Sequence, residues 1–173
     1  MKTKQIQNLD NFTGTILIPV FETNEKSIIP IEYHGISVPS KVFYGKKDTH
    51  YVVEKYDCTH IFIGLGKEID YKSIKTISRR IAAKQKDLFG TNVAVVIPNE
   101  LKKEQVEALF SGLVLGTYNL GHYKKTEAHP FLTNDFVFHY IAKENLEEII
   151  SKGIKIAQAQ LETFNLVDLP PNK

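Results

Sequence analysis

The sequence predicts an α/β domain in which a mixed β-sheet lies between helices, a three-layer α/β/α arrangement. Three observations predict it. From residue 59 onward, strand-like apolar runs alternate with segments of helical periodicity, the order expected of strands joined by right-handed crossovers. Residues 92–97, Asn-Val-Ala-Val-Val-Ile, are nearly all apolar and are closed by Pro98, which suits a strand buried on both faces. The first half has β-branched runs in place of helical spacing, so it is expected to add antiparallel strands.

Taken in order, residues 15–21 (Thr-Ile-Leu-Ile-Pro-Val-Phe) read as a buried strand bounded by Gly14 and by a polar stretch from Glu22 to Lys26. Residues 41–44 and 50–54 flank Gly45-Lys46-Lys47-Asp48, where glycine tolerates positive φ, so they are expected to pair as a hairpin. Residues 59–66 form a strand ending in a glycine turn. Asp70 then offers a capping oxygen to a helix whose apolar stripe is Ile74, Ile77, Ile81 and Leu88, with Gly90 as its stop.

A second helix is predicted over residues 102–120, with Val106, Leu109, Phe110, Leu113, Val114, Thr117 and Tyr118 on one wide stripe. Gly112 and Gly116 leave room for close packing. After a loop containing His129-Pro130, residues 135–141 return to strand composition. A last helix begins near Asn145, and Leu146, Ile149, Ile150, Gly153, Ala157, Leu161 and Phe164 form the face expected to pack on the sheet.

Composition narrows the function classes. One core is expected for 173 residues, and 42% hydrophobic with 24% charged residues is ordinary for a globular domain. A formal charge of +2 argues against a general nucleic-acid or membrane-surface role. Cys58 is the only cysteine, so neither an intramolecular disulfide nor a thiolate zinc cluster can form, which suits a reducing compartment. No signal peptide and no apolar run near the length of a membrane span is visible, so a soluble, intracellular protein is expected.

Gly64-Leu65-Gly66-Lys67 lies between a strand and a helix, where glycine amides and a lysine could hold phosphate. It lacks both the third glycine of a dinucleotide fingerprint and the spacing of a Walker A loop, which favours a structural tight turn. Gly64, Gly66 and Lys67 are therefore a weak phosphate-loop candidate. Lys72, Lys75, Arg79, Arg80, Lys84 and Lys86 make the first helix basic, and a solvated face is the expected reading over contact with nucleic acid. His34, His50, His60, His122, His129 and His139 show no metal-ligand spacing. Cys58 and His60 share a strand face, and an inert thiol is expected there.

The carboxyl-terminal run from Ala157 through Phe164-Asn165-Leu166-Val167-Asp168-Leu169-Pro170-Pro171-Asn172 resembles the linker between the two domains of the leucyl aminopeptidase family. That family typically reads Ala-Arg-Asp-Leu-Val-Asn-x-Pro-x-Asn there. Leu166, Val167, Pro170 and Asn172 match, whereas Phe164, Asn165 and Asp168 stand where Arg, Asp and Asn are usual. The glycine turn at Gly64, the strand ending at Pro98, and Gly112-Leu113-x-Leu115-Gly116-x-Tyr118 before Tyr123-Lys124 agree in order with the family, so the resemblance covers roughly residues 60–173.

The resemblance implies a non-catalytic amino-terminal domain over residues 1–164 and the start of a linker over 165–173, where two prolines favour an extended chain end. It implies a partner catalytic domain in the same polypeptide that holds two divalent metals, zinc or manganese, and a cytoplasmic hexamer. The family hallmark Asn-Thr-Asp-Ala-Glu-Gly-Arg does not occur in this sequence, so no catalytic or metal position is carried over. It also implies a fold similar to macro domains. This keeps open an ADP-ribose or nucleotide binder using the Gly64–Lys67 loop, beside the nucleic-acid reading of the basic helix.

Overall fold

The computed structural model describes residues 1–23, 30–33, 35–55, 57–118 and 136–167. Its centre is a six-stranded sheet of β1 (Lys2–Gln5), β8 (Val137–Ile141), β7 (Asn92–Val96), β2 (Gly14–Phe21), β6 (Cys58–Gly66) and β5 (His50–Lys55), in that spatial order. Neighbours are parallel except at the β6–β5 edge. The sheet is therefore mixed, as the sequence predicts. A separate antiparallel pair, β3 (Ile31–Tyr33) and β4 (Ile36–Val38), lies outside it.

Alternation along the central strands divides the core. Leu17, Ile61, Ile63, Val93, Val95, Phe138 and Tyr140 point to one face, and Ile16, Ile18, Phe62 and Ala94 to the other. The first face carries α1 (Tyr71–Gln85), α2 (Lys103–Gly116) and α3 (Glu147–Val167), whose buried apolar residues all join that cluster. The second is covered by Leu9, Ile36, Val38 and Phe43, from loops and the β3–β4 pair.

Among the described residues, then, all three α-helices lie on one face of the sheet, and the layer opposite them is non-helical. The direction of chain travel explains why α1 and α2 share a face. The connections from β6 to β7 and from β7 to β8 run one way along the sheet and use α1 and α2. Those from β1 to β2 and from β2 to β6 run the other way. Right-handed crossovers require opposite directions of travel to use opposite faces.

The expected pairing of residues 41–44 with 50–54 does not form. The hairpin is instead β5 with β6, in register from His50 opposite Ile63 to Lys55 opposite Cys58. The amides of Val42 and Phe43 turn back on the Pro39 carbonyl, which places Phe43 in the core and leaves Val42 exposed. Phe43 packs there against Phe62, with 6.0 Å between ring centroids.

Helix α1 starts where expected, with Asp70 Oδ1 accepting from the Ser73 amide at 2.6 Å. It gives way after Gln85 to a 3-10 turn at Lys86–Leu88. Helix α2 ends at Gly116, sooner than predicted, and residues 119–120 fall outside the described residues. At its start the Gln105 side chain accepts from the Lys102 amide at 2.8 Å. For α3, Asn145 Oδ1 accepts from the Glu147 amide at 2.9 Å and from the Tyr140 hydroxyl at 3.0 Å, tying the helix start to β8.

Gly112 and Gly116 do provide close packing. A Cβ at Gly112 would lie 2.4 Å from the Lys75 carbonyl oxygen, and one at Gly116 2.4 Å from Ala82 Cβ, so α1 rests directly on the α2 backbone. Gly153 does the same for α3, where a Cβ would lie 2.3 Å from the Glu107 carbonyl oxygen. The apolar face of α3 therefore meets α2 as well as the sheet. No helix among the described residues is long and apolar enough to cross a membrane.

Candidate functional site

The Gly64–Lys67 turn is built as a junction between backbone segments. The Gly64 amide donates to the Thr49 carbonyl at 2.8 Å and the Gly66 amide to the Gly45 carbonyl at 2.9 Å. Both amides are thus engaged by the preceding loop. A Cβ at Gly64 would stand 2.0 Å from the Lys46 carbonyl oxygen, and Gly66 has φ +80. Glycine is needed at these positions for close approach and for a left-handed backbone. The adjoining α1 amino terminus is occupied by its own Asp70 cap, whose carboxyl is held below its usual range chiefly by the Ser73 amide. Lys67 is exposed beside this turn.

The basic helix has a more specific environment. Lys75 Nζ donates to Gln160 Oε1 at 3.2 Å, and the Arg79 guanidinium lies over the Phe164 ring, 5.9 Å from its centroid. Arg80 pairs with Asp48. Between α1 and α3 runs an open groove of about 690 Å³, walled by Lys72, Lys75 and Arg79 on one side and Gln160 and Phe164 on the other, with Leu115 of α2 below. Partial burial lowers the Lys75 pKa. Cations thus line a groove with an apolar floor, which suits an anionic group carried on an apolar or aromatic body.

Beside the groove, Glu107 of α2 links all three helices. It accepts from the Tyr71 hydroxyl at 3.1 Å and pairs with Lys152 Nζ at 2.6 Å. Burial and the bond to Glu107 raise the Tyr71 pKa, and the same carboxylate raises that of Lys152. Neither this cluster nor the groove is legible from spacing, because each takes residues from distant segments. The only local trace is the charge run on α1.

The three described histidines do not converge. His60 is buried on the non-helical side of the sheet, His139 packs edge-on against Phe12 at 5.5 Å, and His50 contacts Gln85 at 2.9 Å. His34, His122 and His129 lie outside the described residues, as does the Tyr123-Lys124 match. The Cys58 thiol is buried and donates to the Phe12 carbonyl at 2.9 Å. Among the described residues no three His, Cys, Asp or Glu side chains are grouped to hold a metal ion.

Of the expected linker, residues 165–167 continue α3, and 168–173 lie outside the described residues. No protein family matches the sequence, and no curated protein does. Solved structures do match. A mutant of tomato leucine aminopeptidase superposes with a TM-score of 0.72 at 16% identity, covering 99% of this chain and 39% of that one. The bottromycin maturation enzyme BotP matches at 0.64 and 13% identity in its manganese complex, covering 91% of this chain and 32% of that one. A second BotP structure matches at 0.59 and 15% identity, with 91% and 33% covered. The chain thus spans about two-fifths of the length of the tomato enzyme, a share consistent with the amino-terminal domain that residues 60–173 resemble, and it has the fold of that part of a leucine aminopeptidase.

Proposed function

We propose that this chain is the non-catalytic amino-terminal domain of a metal-dependent leucyl aminopeptidase that acts in the cytoplasm and releases amino-terminal residues from peptides. In this reading the two metals, zinc or manganese, belong to a catalytic domain beyond residue 173. The amino-terminal domain packs beside it, supports a hexamer and shapes access to its active sites. The observation that carries the reading is the fold match over 99% of this chain at 39% of the tomato enzyme. The linker resemblance at Leu166, Val167, Pro170 and Asn172 supports it from the sequence.

The test compares chain 1–173 with the product of the complete gene on a leucyl chromogenic substrate, with manganese or zinc added. The complete product is expected to turn over substrate, to lose activity to a chelator, and to sediment as a hexamer. Chain 1–173 is expected to be inactive. Chelator-sensitive turnover by chain 1–173 alone, or a complete product without it, would overturn the proposal.

A further inference from the structure

We infer that the groove between α1 and α3 seats an acidic segment of the polypeptide beyond residue 173; this rests on the reading above that a catalytic domain follows. Four of the eleven residues lining the groove are Lys or Arg, and none is Asp or Glu. One of them, Arg80, is already paired with Asp48. Glu107, the buried carboxylate nearby, is engaged by Tyr71 and Lys152. Glu107 acts on Lys75 from beside the groove, so it is chiefly Lys72 and Arg79 that present positive charge there, with no acidic lining residue among the described residues to offset it. Charge complementarity selects an acidic occupant.

The floor selects an occupant that also brings apolar surface. Leu115 and Phe164 lie in the groove, and Phe164 opens the last turn of α3. That turn goes on to Leu166 and Val167, which are 68% and 77% exposed. Val167, three residues after Phe164 and so on the same helix face, extends the apolar surface that a partner would cover. A segment tethered through this helix end meets the groove at an effective concentration on the order of millimolar, which favours it over a free partner. The walls are helices braced by Gly112, Gly116 and Gly153 against α2, so little ordering is required of them.

Acylation of Lys72 and alkylation of a Thr163→Cys variant, both mapped by mass spectrometry, test this in the complete gene product and in chain 1–173. Each reaction is expected to be at least tenfold slower in the complete product, while Lys84 and Lys86, which do not line the groove, react alike in both. When Lys72→Glu and Arg79→Glu are added to the Thr163→Cys variant, or in high salt, its alkylation rate should return to that of chain 1–173. Equal rates in a complete product that is an active peptidase would overturn the inference while leaving the proposed function standing. Protection that disappears on dilution would assign the groove to a second copy, and protection indifferent to charge and salt would remove the acidic occupant. Absence of metal-dependent peptidase activity in the complete product counts against the proposed function instead.

Discussion

The Tyr71 hydroxyl donates to the Glu107 carboxylate at 3.1 Å, and Lys152 reaches that carboxylate at 2.6 Å, so a single acidic side chain of α2 fastens α1 on one flank and α3 on the other. Glu107 is buried, whereas Lys152 is largely exposed. Removing the acceptor leaves the part-buried Tyr71 hydroxyl without its partner, while the exposed Lys152 ammonium stays solvated. Glu107→Ala is expected to cost about 1–3 kcal/mol in urea unfolding, and Tyr71→Phe about 0.5–1 kcal/mol because that hydroxyl is only partly buried. Lys152→Ala should cost at least as much as Glu107→Ala, since it leaves the buried Glu107 carboxylate with only the Tyr71 donor, whereas Glu107→Ala leaves an exposed ammonium that water solvates. A Lys152→Ala variant with no measurable loss would show that the carboxylate is not the hub.

Alkaline pH should loosen the same hub. Tyr71 and Lys152 both have raised pKa values in the folded state. For Lys152, the stability its charged form contributes is present below the unfolded value and is lost as pH rises through the folded one; for Tyr71, the neutral hydroxyl that donates to Glu107 is lost over the same range. The expected result is a steeper fall in stability above about pH 10 for the wild type than for Tyr71→Phe, measured by urea midpoints across pH.

On the acid side the histidines set the sign. Burial is the main cause that lowers the pKa of both His50 and His139, with Lys84 adding to the first and Lys4 to the second. Depressed values mean that the unfolded chain binds more protons. Their contribution is therefore present above about pH 6.5 and lost as pH falls through the folded values. A His139→Phe variant should show a shallower fall in melting temperature between pH 7 and pH 5. An unchanged slope in both His139→Phe and His50→Gln would rule the effect out.

Glycine substitutions separate close approach from simple flexibility. Gly112→Ala forces a methyl group against the Lys75 carbonyl and is expected to cost about 1–3 kcal/mol, as overpacking does. Gly64→Ala meets the Lys46 carbonyl at a shorter distance and should be at least as damaging. Gly90→Ala meets nothing within 4 Å and has no positive φ, so it should be neutral or stabilising by about 0.4–1 kcal/mol. Thermal melts of the three variants check the order.

The engaged amides of Gly64 and Gly66 lead to an expectation for the phosphate reading. Calorimetry with ADP-ribose should give no saturable heat from this turn at millimolar ligand. Saturable heat abolished by Lys67→Ala would reinstate Gly64, Gly66 and Lys67 as a ligand loop.

Local chemistry in the sequence determined the three α-helices and the strands β2, β5, β6, β7 and β8, but it marked neither β1, β3 nor β4, and the strand it suggested at residues 41–44 does not form. Periodicity marked Ile74, Ile77 and Ile81 as one face of α1, Asp70 marked its start, and the apolar run before Pro98 marked a central strand. The close-packing role of Gly112 and Gly116 was legible too, because small residues four apart on a helix face leave a predictable notch.

Tertiary structure alone decided how these pieces meet. Strand composition in residues 41–44 could not show that Phe43 would be drawn into the core and the ladder moved to β5 and β6. Helix periodicity says which side of a helix is apolar but not which face of the sheet it covers; strand order and the direction of travel between strands decide that. The α1–α3 groove joins Lys75 to Gln160 and Arg79 to Phe164 across about half the chain. Side chains so far apart in sequence become neighbours only when helix packing on α2 brings them together, and no local pattern encodes that distance.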